Sequence, residues 1–115
     1  MPDLKKLQQR VVAFRDARDW QQFHNPKDTA VSLLLEAAEF LEHFQWKSSD
    51  EIKNHLKKRQ ADVNDELCDV FYWVLLIAHD LKIDIAKEFE RKMKKNEQKY
   101  PVSRAKGKHT KYTEL

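Results

Sequence analysis

The sequence has 115 residues, 41% apolar and 36% charged, with a net charge of +3, which suits one small folded domain and excludes a disordered chain. One glycine and three prolines argue against a β-fold built on tight turns. The single cysteine, Cys68, excludes an internal disulfide framework and fits a reducing cytoplasm.

The opening MPDLKKLQQR has no apolar signal core. Helix one is predicted from Asp3 to about Arg18, with Leu4, Leu7, Val11, Val12 and Phe14 on its apolar side. RDWQQFHNPKD (18–28) breaks that pattern, and Pro26 restricts Asn25, so this stretch reads as a loop carrying Trp20, Phe23 and His24. Asp28 or Thr29 is the expected cap of a second helix running to about Gln45. Ser48 and Glu51 have the Ser-x-x-Glu spacing of a capping box, and the polar EIKNHLKKRQ that follows reads as a short helix. Helix three is placed at roughly 60–81 and holds the longest apolar run, VFYWVLLIA (70–78). That run is too short to span a bilayer, which takes about 20 residues, so no membrane association is expected.

Ile83 or Asp84 opens helix four, which continues to about Lys99; Pro101 ends it because proline cannot extend the hydrogen-bond ladder. Residues 102–115 are basic and without period, a mobile tail unless a ligand orders it. No segment keeps a two-residue alternation. The expectation is therefore all-α: a four-helix bundle in one domain, 1–115, with a basic C-terminal tail. Residues 70–78 are apolar on every side of the wheel, more than a small bundle can cover, so completion by a homo-oligomer, dimer or tetramer, is expected.

Charge is unevenly placed. Residues 1–90 carry 13 Lys/Arg and 17 Asp/Glu; residues 91–115 carry 9 and 2. An acidic body with a basic tail suits a phosphorylated small molecule or nucleic acid. The tail lysines are spread out and lack Arg-rich or aromatic patterning, which disfavours nucleic acid.

The acids of the body have an unusual setting. LLLEAAEFLEHF (33–44) sets Glu36, Glu39 and Glu42 at every third position of an apolar helix. In helix three, Asp62, Glu66, Asp69 and Trp73 form one stripe that Leu76 continues, so an acidic face runs into an apolar one. Glu36/Glu39 and Glu66/Asp69 are both i,i+3 pairs, with neighbouring side chains on one helix face. If helices two and three pack together, four carboxylates converge and repel, and a hard cation such as Mg²⁺ would neutralise them. The competing reading is a solvated helix edge. A di-iron bundle would need Glu-x-x-His motifs, and no Glu here has a His three residues on.

Other residues read as structural. His24 packs a loop, and His43, His55 and His79 lie at the surface or an edge. Cys68 points away from the acids and reads as a small buried hydrophobe. Trp20 and Trp46 are either loop-pinning aromatics or ligand contacts, and Trp73 reads as core.

The two acidic pairs, with RDWQQFH (18–24), FQWK (44–47), ELCDV (66–70), KMKKNEQKYP (92–101) and KYTEL (111–115), resemble the all-α nucleoside triphosphate pyrophosphohydrolases, the MazG-like group, and within it the dCTP pyrophosphatase branch. The likeness covers nearly the whole chain from about Val11. It implies hydrolysis of a (d)NTP to (d)NMP and diphosphate, with dCTP or a modified dCTP preferred, for nucleotide-pool control or house-cleaning. It implies Mg²⁺, one ion or more with Mn²⁺ as a substitute, held by Glu36, Glu39, Glu66 and Asp69, with Glu36 and Glu39 as candidates for the catalytic base. Lys92, Asn96, Lys99, Tyr100, Lys108, Lys111 and Tyr112 correspond to sugar and phosphate contacts; Trp20 and Trp46 correspond to aromatics around the base. Trp73 stands where that branch has a tyrosine, and Val11 where its animal members have a histidine; both changes bear on base and sugar preference. The alternative function is a helical binding protein whose basic arm holds nucleic acid or a protein partner.

Overall fold

The computed structural model describes residues 3–115 and has four long helices, with no strand among the described residues. The first, α1 (Leu4–Ala17), is capped by Asp3, whose carboxylate accepts the Lys6 N–H at 2.9 Å. The chain then turns through Asp19, whose φ of 55° lies in the left-handed region that Asp tolerates better than most residues. A 3-10 turn, Trp20–Phe23, occupies the stretch that reads as a plain loop.

The second helix, α2 (Pro26–Glu42), is capped by Asn25 rather than by Asp28 or Thr29. The Asn25 side chain accepts the Asp28 N–H at 2.9 Å, and Pro26 takes the first helical position, where its missing N–H leaves no bond unmade. Thr29 is buried instead, its hydroxyl donating to the Asn25 and Pro26 carbonyls. The helix stops at Glu42, short of Gln45, and a turn fills 43–46.

The Ser48/Glu51 capping box forms as its spacing predicts. Ser48 Oγ accepts the Glu51 N–H at 3.3 Å, and the Glu51 carboxylate accepts the Ser48 N–H at 3.1 Å. From this cap α3 runs Ser49–Asp80, so the polar stretch expected to be short is helical throughout. Its geometry breaks once, at Arg59 (φ −128°, ψ 25°), next to the expected start of helix three at residue 60. The fourth helix, α4 (Ile85–Lys99), is capped by Asp84, which accepts the Lys87 N–H at 3.2 Å. Beyond Pro101, where no period is legible, lie a short helix, α5 (Val102–Ala105), and a 3-10 turn, Tyr112–Glu114.

The chain divides into two compact units, one ending at Lys82 and the other spanning Ile83–Leu115. In the first, α1 and α2 each pack on α3. Its buried apolar residues, Val63, Leu75, Leu76 and Ala78, all belong to α3. Burial all round 70–78 is not reached within one chain: Phe71 is 43% exposed. Phe14, expected on the apolar side of α1, is exposed as well. The core also contains a charge that the apolar pattern does not announce. Arg15 is fully buried, and its Nη1 donates to both Asp80 carboxylate oxygens at 2.8 and 2.7 Å while Nε donates to Asp16 at 3.0 Å. In the second unit, the Lys99 ammonium lies 4.6 Å from the Tyr112 ring centre, and the Tyr100 and Tyr112 rings meet edge to face at 5.9 Å.

Breaking a buried pair strands its partner's charge. Arg15→Ala is expected to destabilise the protein by about 3 kcal/mol in urea unfolding. The double replacement Arg15→Met/Asp80→Leu should recover much of that loss, because it removes both charges and keeps the volume.

Candidate metal centre

Packing α2 against α3 brings three of the four paired acids to one place. One carboxylate oxygen from each of Glu36, Glu39 and Glu66 lies within 4.8 Å of the other two. Glu36 and Glu66 are half-buried and Glu39 is exposed. Oε2 of Glu36 and Oε2 of Glu66 are both shut off from solvent, with no hydrogen-bond partner among the described residues. A buried acceptor without a donor costs about 1–3 kcal/mol, so two in one cluster call for protons or a cation. Asp69 is exposed and stands outside the trio, yet near enough for its charge to act on Glu36.

The electrostatics agree. Burial first, then Glu39 beside it, then the charges of Asp69 and Glu66, push the Glu36 carboxyl up to about 7. Glu66 is raised by burial and by Glu39, and Asp69 by burial and by Asp65 and Glu39. Each group pays for the charge of its neighbours. The trio also fits a hard cation: oxygens on opposite sides of Mg²⁺ lie about 4.2 Å apart and adjacent ones about 3 Å.

A cavity of about 590 Å³ adjoins the cluster and shares Glu36 and Asp69 as wall residues. The rest of its wall is mainly apolar and aromatic, with Phe14, Trp20, Tyr72 and Trp73. Trp20 meets Phe14 edge to face at 5.8 Å, and Trp73 meets Tyr72 at 5.2 Å and His24 at 5.4 Å. Among the lining residues absent from the sequence-based candidates, three carry polar or reactive side chains. Arg10 is on the same α1 face as Leu7 and Phe14, a spacing that could have flagged it. Tyr72 is half-buried, and burial raises its phenol above the ordinary value. Cys68, expected to be buried, is exposed and lines this cavity beside Asp69.

The remaining candidates are more dispersed. Trp46 is 86% exposed in the turn after α2 and is not part of the cavity wall, so it is no core aromatic. Lys92 and Asn96 lie one turn apart on α4, and Lys99, Tyr100 and Tyr112 cluster at its end; Lys108 and Lys111 are exposed in the tail.

A carboxyl raised from 4.5 to about 7 on folding means that the folded chain holds more protons than the unfolded chain between those values. The stability this contributes is complete below about pH 4.5 and is lost as pH rises through about 7. In EDTA the melting temperature should therefore fall across that window. Glu36→Gln should remove most of the slope, and Mg²⁺ should lift the high-pH end.

A model of the MazG-like family matches residues 31–115, a span that includes both acidic pairs and the tail motifs. The dCTP pyrophosphatase 1 of Rattus norvegicus is 34% identical over 116 residues, 99% of this chain and 68% of its own length. The Homo sapiens protein of that name is 32% identical with the same coverage. The solved structure of a pyrophosphatase from Archaeoglobus fulgidus superposes with a TM-score of 0.80 at 40% identity, covering 88% of this chain and 94% of that one. With its family model, its pyrophosphatase relatives and its helical fold in agreement, this chain belongs to the MazG-like family.

Proposed function

We propose that this nucleotide pyrophosphohydrolase acts on a deoxynucleoside triphosphate, dCTP or a base-modified dCTP before others, with Mg²⁺ as its ion, to adjust or clean the nucleotide pool. The observation that carries this reading is the convergence of Glu36, Glu39 and Glu66 oxygens beside an aromatic cavity that shares Glu36. The name of the relatives supports dCTP as the substrate. Bound at the acids together with Asp69, Mg²⁺ would neutralise the carboxylates and draw in the triphosphate.

The chain's own groups then divide the work. Glu36 or Glu39 takes a proton from a water aimed at the α-phosphorus. A bond forms from that oxygen to the α-phosphorus, the bond between the α-phosphorus and the α,β-bridging oxygen breaks, and diphosphate leaves with that oxygen and the electron pair. Trp20 and Trp73 offer ring faces to the base in the cavity. Trp46, exposed as it is, gains cover from a bound base or a second copy. Lys92, Asn96, Lys99, Tyr100, Lys108, Lys111 and Tyr112 serve the sugar and phosphates. Their basic setting, with 9 Lys/Arg against 2 Asp/Glu over residues 91–115, suits a polyanion.

The 115 residues form one functional domain that works as a homo-oligomer. Support comes from α2, where Val31, Leu34, Leu35 and Leu41 are 46–68% exposed at helical spacing. Among the described residues no helix is long and apolar enough to cross a membrane, and a single free cysteine suits a cytoplasmic setting.

Product analysis across the canonical NTPs and dNTPs plus 5-methyl-dCTP, with Mg²⁺, tests the reaction. The expected products are monophosphate and diphosphate, with a dCTP form turned over fastest. Glu39→Ala and Glu66→Ala should each lower kcat by at least about 100-fold, and Trp20→Ala should mainly raise KM. Cleavage of no nucleotide, or full turnover in EDTA, overturns the reading. In light scattering, Leu34→Glu/Leu35→Glu should shift the assembly toward monomer.

A further inference from the structure

A second cavity, of about 440 Å³, is lined by Glu39, Glu42, His43, His55 and Glu66. Every one of these side chains is of a metal-ligating type, and none carries a fixed positive charge. Two imidazoles meet here from different helices: His43 at the C-terminal cap of α2 and His55 in the first half of α3, with Nδ1 and Nε2 2.8 Å apart. Phe44 lies beside both rings, at 6.1 and 6.4 Å between centres. Both rings are half-buried. Glu66, whose buried Oε2 has no partner among the described residues, belongs to the same wall.

We propose that His43 and His55, completed by a carboxylate of this cavity, form a second metal site with mixed nitrogen and oxygen ligands for a first-row divalent cation of the Zn²⁺ type. The neighbouring trio is all oxygen and suits a hard ion. Imidazole shifts preference toward borderline transition metals. A tetrahedral Zn²⁺ with bonds of about 2.0–2.1 Å holds two nitrogens about 3.3 Å apart. The two nitrogens therefore need to part by about half an ångström, with each ring turning to aim its lone pair at the ion. Glu42 closes the set by a change of rotamer. It is exposed at the end of α2, and its carboxylate makes no hydrogen bond or ion pair among the described residues. The site does not depend on the nucleotide reading, although Glu39 and Glu66 border both metal positions.

The test uses the full chain, stripped of metal and dialysed against one equivalent of Zn²⁺ in millimolar Mg²⁺, which keeps the all-oxygen position filled. Wild type should retain one Zn²⁺ per chain, and Co²⁺ in its place should give visible ligand-field bands. His43→Gln and His55→Gln should each weaken Zn²⁺ binding by at least about tenfold with unchanged helix content, whereas Glu36→Gln should retain it. On unmutated protein, Zn²⁺ should shift the imidazole nitrogen resonances of His43 and His55 in NMR, a readout independent of variant folding. The proposal is overturned if Mg²⁺ displaces the Zn²⁺, if the histidine variants bind as wild type does, or if the imidazole resonances stay put. Failure of the nucleotide reading would show separately, as absent turnover with Zn²⁺ binding intact.

Discussion

Three carboxylates held within one half-buried space between α2 and α3 are the constraint on which the rest of this molecule turns. Like charges brought together and partly desolvated oppose folding, and the raised Glu36, Glu66 and Asp69 carboxyls record that opposition. A helix pair selected for stability alone would have turned these positions apolar. Their presence on two packed helices is a cost that a bound polyvalent cation would reverse, and such binding would couple the fold to its ligand through linkage.

The scaffold answers that repulsion at a distance. Leu75, Leu76 and Ala78 anchor α3 in the core beyond the acids, and Arg15 ties the end of α1 to Asp80 at the end of the same helix. The acidic stretch of α3 is thus held between its buried apolar end and the kink at Arg59. α1 in turn supplies Leu7, Arg10, Val11 and Phe14 to the cavity beside the acids. One helix therefore serves both the core and the site, a saving available to a chain of this size only because its elements are long.

Legibility in the sequence followed the range of the interaction. Signals complete within four residues translated directly into structure: the helix starts at Asp3 and near Asp84, the Ser48/Glu51 box and the stop before Pro101. Where two local signals competed, the nearer geometry prevailed. Asn25 could cap α2 because Pro26 fits the first helical position, and Asp28 then fell inside the first turn. The polar EIKNHLKKRQ lacks an apolar face strong enough to declare more than a short helix, but the box that starts it and the long helix that follows hold it in register. The pairing of acids at i,i+3 on two helices was likewise legible, since helical periodicity puts each pair on one face.

What the sequence by itself determined is the all-helical class, most helix ends and the presence of two acidic faces, because each rests on backbone geometry and on neighbours along the chain. Only the tertiary structure decided which groups meet across helices. It buried Arg15 against Asp80, 65 residues away, left Cys68 exposed on the cavity wall, and set His43 against His55. It also brought the oxygens of Glu36, Glu39 and Glu66 to one point while leaving Asp69 to the side. Such encounters depend on the angle and register at which α1, α2 and α3 pack. Those are set by the summed fit of many side chains, and no local pattern encodes them.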